Sequence, residues 1–493
     1  MSASQSALSR FPPEVLGECF LSCVDDRLPT IALDEAPVSL TLVCRSWHNI
    51  ALTTPRLWAR LSIEIWNREE KRLERIVSHM SKLLERFMAV PLTCSLRFFD
   101  DCSRSDEEID QESVLCRPII ELLLQHAHRW SDVVIQSPDY VESLTSPLTI
   151  EAISFPNLRR LSLWGIDTDQ LTLSLTPEQT PLLEALVVPS SALRLWSLNW
   201  SHLRSLHILD HEDDPEYLSV VFATLPSCSQ LRELRIQCHC FETDEAIIPL
   251  QNTGRTVLLP HLTYLSLATN RDDLICAFTD KISAPALITL FLEGFDARHA
   301  PRSVISFLEH HSKTIETFDL GPRCKAGQTG LASLWKRLPN MKHLRLHHDA
   351  STGDILRSLI RHYRDKDVFE YQFLEELSMD VTPDILEADV FRTITQFLQA
   401  FIYLEQYDTL GLKTVHFRIA CGDPGRGKHQ EQDPHVQVAS RLTETLQHLL
   451  HSGLLKDLDI EFVDERLCMK EQPRDGAVWT LDDPDAGYYL EHE

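Results

Sequence analysis

A six-residue pattern, Leu-x-x-Leu-x-Leu, returns eleven times between residues 158 and 460, and it constrains this chain more than any other feature. Its copies begin at Leu158, Leu183, Leu203, Leu231, Leu262, Leu287, Ile315, Met341, Leu374, Leu412 and Leu455, with Leu, Ile, Val, Met or Phe at the two later positions. Trp58, Leu61, Ile63 and Trp130, Val133, Ile135 read as earlier, degenerate copies. The last two apolar positions of each copy alternate as a strand requires, which puts both on one face, while the first anchors the turn into that strand. Successive copies start between 20 residues (Leu183 to Leu203) and 43 residues (Leu412 to Leu455) apart. No copy is stable alone. Each buried aliphatic side chain contributes about 1.5–3 kcal/mol, while ordering the backbone costs about 1–2 kcal/mol per residue, so the units must stack.

Several intervening segments carry a helical period: Tyr217, Leu218, Val221, Phe222, Leu225; Val304, Ile305, Leu308; Leu331, Leu334, Leu338; and Ile355, Leu356, Leu359, Ile360. A further stripe, Phe391, Ile394, Phe397, Leu398 and Phe401, marks a helix near 389–404. Residues 67–88 are amphipathic, with Leu73, Ile76, Val77, Met80, Leu83, Leu84, Phe87 and Met88 on one side. The expected class is α/β with parallel strands and helical crossovers. The strand core resembles the leucine-rich-repeat family, which implies a solenoid with a parallel sheet on its concave face. That family's fixed Asn is missing, so an irregular and less curved arc is expected. More than eight strand candidates disfavour a closed α/β barrel.

A second feature lies near the N-terminus. Phe11-Pro12-Pro13-Glu14-Val15-Leu16 presets a helix, Leu42-Val43-Cys44-Arg45-Ser46-Trp47 lies in a second helix with Leu40, Ile50 and Ala51, and Thr54-Pro55-Arg56-Leu57-Trp58 starts a third short turn. Val15, Leu16, Cys19 and Phe20 are expected on one side of the first helix. So short a module cannot bury this many large apolar side chains internally, so some must face another surface. In order and spacing the cassette resembles the F-box of fungal F-box proteins. Phe11 stands where that family commonly has Leu, and residues 24–37 lengthen its first connection.

Charge and composition narrow the function. With 73 acidic and 47 basic side chains the formal net charge is −26, which repels phosphate backbones and argues against nucleic-acid or anionic-membrane partners. Asp100-Asp101, Asp106-Glu107-Glu108, Glu212-Asp213-Asp214 and Asp482-Asp483 read as solvated loops or tail. Thirteen scattered cysteines suggest reduced thiols, and no apolar run or secretory leader is evident, so the chain is expected to work in the cytoplasm or nucleus. Gly422 to His429 (GDPGRGKH) departs from a phosphate loop because His429 stands where Ser or Thr would hold magnesium. Cys238-His239-Cys240 with Cys228 has metal-ligand chemistry at the wrong spacing, and His310-His311 and His347-His348 read as surface or helix-end residues. Neither His-Glu-x-x-His nor Gly-x-Ser-x-Gly occurs. No cofactor, metal or catalytic residue is expected, and the chain is not expected to be an enzyme.

The two resemblances together imply a substrate receptor of an Skp–cullin–F-box ubiquitin ligase, with an Skp-type adaptor, and through it cullin and RING subunits, as partners besides an unidentified target. The positions that would contact the adaptor are Phe11, Pro12, Val15, Leu16, Val43, Cys44, Trp47, Leu57 and Trp58. The implied partition is a helical module over 1–60, a linking helix with degenerate repeats over 61–154, the repeats proper over 155–465 and an acidic tail over 466–493. Strand alternation predicts two solvent-facing columns, one of Ser162, His207, Arg235, Ser266, Phe291, Asp319, Arg345 and Ser378, the other of Trp164, Gln237, Glu293, His347, Asp380 and Arg418. Large aromatics and arginines dominate interfaces, which singles out Trp164, Arg235, Phe291 and Arg345 for target binding. The alternative is a leucine-rich-repeat scaffold acting outside any ubiquitin ligase.

Overall fold

The computed structural model describes residues 11–24, 28, 35–65, 70–86, 90–98, 118–136, 153–164, 175–210, 217–238, 256–269, 271–294, 301–321, 324, 334, 337–346, 374–381, 414–421 and 457–464. The chain divides into two units, the first running through Leu209 and the second beginning at Asp210. This boundary falls inside the expected repeat region, and the N-terminal helices belong to the first unit. The predicted helix over 389–404, the glycine-rich loop at 422–429 and the tail over 466–493 lie outside the described residues.

The first unit opens with helices α1 (Pro13–Leu21), α2 (Val38–Val43) and α3 (Arg45–Leu52) and a 3-10 turn, Pro55–Trp58. There follow β1 (Arg60–Ile65), α4 (Glu70–Arg86), β2 (Leu92–Phe98), helical residues 118–125, β3 (Trp130–Gln136), β4 (Arg160–Trp164), β5 (Ala185–Pro189), α5 (Ser190–Leu195) and β6 (Ser205–Asp210). Its strands pair in chain order and all in parallel. The second unit contains α6 (Tyr217–Thr224), β7 (Glu233–Cys238), β8 (Val257–Leu258), β9 (Tyr264–Thr269), α7 (Asp272–Lys281), β10 (Ile282–Ser283), β11 (Thr289–Glu293) and α8 (Arg302–His311). It continues through β12 (Thr317–Leu320), β13 (His343–Leu346), β14 (Glu376–Val381), β15 (Thr414–Cys421) and β16 (Asp457–Asp464). Here β7, β9, β11, β12, β13, β14, β15 and β16 form a parallel sheet in chain order, and β8 pairs with β10 beside it.

All eleven predicted strands are present, and the degenerate copies at Trp58 and Trp130 lead into β1 and β3. The apolar positions stand in register: Leu234, Leu265, Leu290, Phe318, Leu344 and Leu377 are Cα partners from strand to strand, and none is more than 1 % exposed. One column of repeat side chains therefore forms the core of the second unit.

In seven copies the first position does what a turn anchor should. Leu158, Leu183, Leu203, Leu231, Leu262, Leu287 and Met341 each donate a backbone N–H to the carbonyl three residues earlier, closing a turn at 3.0–3.3 Å. In five of these turns the second residue is proline: Pro156, Pro181, Pro260, Pro285 and Pro339. Proline presets the φ that this position requires, so the turn is partly formed before the strand pairs. The repeat is thus longer than its six-residue core, starting at Phe155, Thr180, Leu259, Ala284 and Leu338, all buried.

The structure adds β2, where Pro91 just before the strand and Cys94 and Leu96 within it occupy the three repeat positions; Cys94 and Leu96 are the register partners of Leu61 and Ile63. One expectation is corrected. The second N-terminal helix is two helices, because Cys44 is extended (φ −161°, ψ 168°) and breaks the run between Val43 and Arg45.

Candidate interaction surfaces

The N-terminal module is built around Leu16 and Phe20 of α1, Leu40 of α2, Ile50 and Ala51 of α3, and Leu57 and Trp58 of the 3-10 turn, with Leu83 of α4 and Trp47 packed against them. The rings of Phe20 and Trp47 lie 4.8 Å apart, tilted by 53°. Trp58 Nε1–H donates to the Ala51 carbonyl at 2.9 Å, and Thr54 Oγ1–H to that of Ile50 at 2.8 Å, so the short turn is tied to the end of α3. Gly17 lets α1 approach closely: a Cβ there would stand 3.1 Å from Thr54 Oγ1.

Packing sorts the nine expected adaptor contacts into two sets. Leu16, Leu57 and Trp58 are buried in the chain's own core, where they hold the module together. Trp47 is half-buried, and Phe11, Pro12, Val15, Val43 and Cys44 are exposed. Val15 and Cys19 face solvent while Leu16 and Phe20 face inward, which corrects the expectation of a single apolar side for α1. The break at Cys44 has a similar consequence, for it ends α2 with Leu42 and Val43 turned out. Phe11 is 51 % exposed, Val15 44 %, Leu42 63 % and Val43 59 %; among the described residues the other exposed large apolar side chains are Leu182, Leu258 and Ile288. Arg56 pairs with Glu18 at 3.4 Å in full solvent, a contact of little energetic weight.

On the sheets, the face opposite the leucine core carries the predicted columns, and most of them are not open. Phe291 is fully buried and Arg235 is 4 % exposed, so the expectation that both face solvent is corrected. Ser162, His207, Ser266, Asp319, Gln237 and Glu293 are buried as well. The reason lies across the strands. In-register neighbours on a parallel sheet stand about 4.8 Å apart and shield one another. The Arg235 guanidinium lies 4.5 Å over the Tyr264 ring, and its Nε–H donates to Glu233 Oε1 at 2.8 Å. The Phe291 ring reaches Gly321, where a Cβ would lie only 2.6 Å from its Cζ. Trp164 is half-buried, its indole N–H donating to Ser162 Oγ and its ring meeting His207 edge-on at 5.5 Å. Arg345 is exposed and pairs with Asp319 at 3.9 Å. Beside it, His343 Nδ1 lies 3.1 Å and His416 Nε2 3.9 Å from the two oxygens of Glu376. His347 falls outside the described residues, as do the side chains of Asp380 and Arg418.

In the first unit Arg97 is buried with its Nε unpartnered and Glu64 at 3.9 Å; burial lowers its pKa to about 10, partly opposed by Glu64. Of the cysteine–histidine residues whose spacing is wrong for a metal, Cys228 and Cys238 are buried, Cys228 Sγ facing the Thr224 carbonyl at 3.7 Å, and His239 and Cys240 lie outside the described residues. Among the described residues no group of three or more His, Cys, Asp or Glu is arranged to hold a metal, and no helix is long and apolar enough to cross a membrane. His310 and His311 end α8, the helix-end placement expected for them, with His310 exposed and His311 buried. Ala284 donates its backbone N–H to His311 Nε2 at 3.0 Å, which leaves the proton on Nδ1 to bond the Phe307 carbonyl at 2.7 Å.

No family model and no curated protein matches the chain. Among solved structures, the crystal structure of a TLR13–ssRNA13 complex is similar at 12 % identity over 62 % of this chain, with a TM-score of 0.25. The match spans 45 % of that chain.

Proposed function

We propose that this chain is the substrate-recognition subunit of an Skp–cullin–F-box ubiquitin ligase. The N-terminal module docks an Skp-type adaptor, and the strand array, an irregular leucine-rich-repeat solenoid, holds a target protein. The chain performs no bond chemistry. It brings target lysines near a ubiquitin-charged enzyme, so its contribution is proximity. The observation that carries this reading is the exposure of Phe11, Val15, Leu42 and Val43 on a module whose sequence resembles an F-box. Leaving four large apolar side chains in water on so small a module forgoes stabilisation that an adaptor surface would supply. The buried repeat positions and the chain-order parallel pairing support the solenoid reading. For the target, Arg345 and Trp164 remain accessible, and Arg235 and Phe291 shape the face from beneath.

The test is capture of a recombinant Skp-type adaptor by the full chain. Val15→Ser with Val43→Ser removes exposed groups only, so the melting temperature should hold while affinity falls about thirtyfold for each change alone and about a thousandfold for both, in line with ~2 kcal/mol per lost hot spot. If the unaltered chain fails to capture the adaptor, the scaffold alternative replaces this reading.

A further inference from the structure

The thiols of this chain are unevenly distributed. Among the described residues, Cys94, Cys228, Cys238 and Cys324 of the strand arrays are buried and Cys276 is half-buried, whereas Cys19, Cys23 and Cys44 of the helical module are exposed. Burial pushes the Cys94 and Cys228 thiols up to about 12, which leaves essentially no reactive thiolate there at neutral pH. Val15 and Cys19, four residues apart, lie on the exposed side of α1, Cys23 stands exposed in the turn that follows the helix, and Phe11 is exposed just ahead of it. Cys23 stands two residues beyond Leu21, the last residue of α1, and its thiol donates to the Cys19 carbonyl at 3.3 Å.

We infer that Cys19 and Cys23 form a peroxide-sensitive dithiol on the adaptor-docking stripe, and that its oxidation to a disulfide weakens docking; the inference rests on the docking reading above. One thiolate attacks hydrogen peroxide, the O–O bond breaks, and a sulfenic acid and water result. The second thiol displaces that hydroxyl as water and the S–S bond forms. Two thiols are oxidised by two electrons and one peroxide is reduced to two waters. Helical residues four apart hold their Cβ atoms about 5–6 Å apart, and a disulfide needs about 3.5–4.5 Å, so closure draws the end of α1 inward. Only a turn has to move. It is held by the N–H groups of Ser22, Cys23 and Val24, which donate to Glu18, Phe20 and Leu21. Phe20 lies between the two cysteines, so closing the bridge disturbs its packing on Trp47 and with it the presentation of Val15 and Val43.

The test uses the full chain treated with hydrogen peroxide, alkylated and cleaved with trypsin. Cleavage after Arg10 and Arg27 places both cysteines in one peptide. That peptide should become lighter by two hydrogens and escape alkylation, and capture of a recombinant Skp-type adaptor should fall about tenfold and return with dithiothreitol. In Cys19→Ser with Cys23→Ser, the ratio of capture after peroxide to capture before should stay near one. Thiols that remain free would overturn the inference and leave the docking reading standing, and so would a disulfide that forms without changing capture. A reduced chain that never captures the adaptor would overturn the docking reading instead, and with it the regulatory half of this inference.

Discussion

His311 and Gly321 carry the two clearest single-residue consequences of this structure. The His311 ring is neutral in the fold because Nε2 accepts the Ala284 N–H, and burial, the largest cause, lowers its pKa against a smaller raising effect of the Phe307 carbonyl. The unfolded ring, titrating near the ordinary histidine value, therefore binds a proton at a higher pH than the folded ring does. Its stabilising contribution is present above about pH 6.5 and is lost as pH falls through that value. His126, buried beside Arg129, shifts in the same direction. Thermal melts at pH 7.5 and 5.5 should show a loss on acidification that is smaller in His311→Gln than in the unaltered chain; an equal loss contradicts the assignment. Gly321→Ala places a methyl group against the Phe291 ring and the Glu293 side chain, so it should cost about 1–3 kcal/mol in a denaturant titration. Neither effect was legible in the sequence. Phe291 and Gly321 are thirty residues apart, and their contact arises from strand pairing, which leaves no local signature.

At the scale of elements, the alternation of apolar residues was enough to place all eleven strands, because the copies from Leu158 to Leu374 bury the same two positions on one face. Where other residues fill those positions the signal failed. Pro91 and Cys94 hid β2, and β8 and β10 are too short to alternate. The prolines at Pro156, Pro181, Pro260, Pro285 and Pro339 were a further signal, standing at one fixed offset before the first repeat residue. In the helical module, periodicity ran straight through Cys44, since an extended residue between two helices keeps an apolar spacing close to helical. Leu265 sits in the central column, with Leu234 and Leu290 as register partners, and is fully buried. Leu265→Ala should therefore cost about 2–5 kcal/mol, while Thr263→Ala, at the rim of the same copy, should cost far less. Chemical denaturation of both variants decides this, and equal losses would mean that the strand column is not the core.

For the whole molecule, the sequence anticipated the architecture better than the surfaces. Buried repeats and exposed stripes are both written as apolar residues, so only packing separates Leu16 and Trp58, which hold the module, from Val15 and Val43, which stand open. The predicted target columns failed for the same reason: alternation tells which face a side chain is on, and neighbours across the strands decide whether water reaches it. The division at Leu209 and Asp210 was likewise invisible, because the repeat continues across it. The account depends on a partner covering the open stripe of the module. Amide hydrogen exchange on the full chain, with and without a recombinant Skp-type adaptor, tests this directly. Protection gained over residues 11–23 and 42–47, with the strands of both units unchanged, is the predicted result; no protection there, or protection confined to the strand arrays, would contradict it.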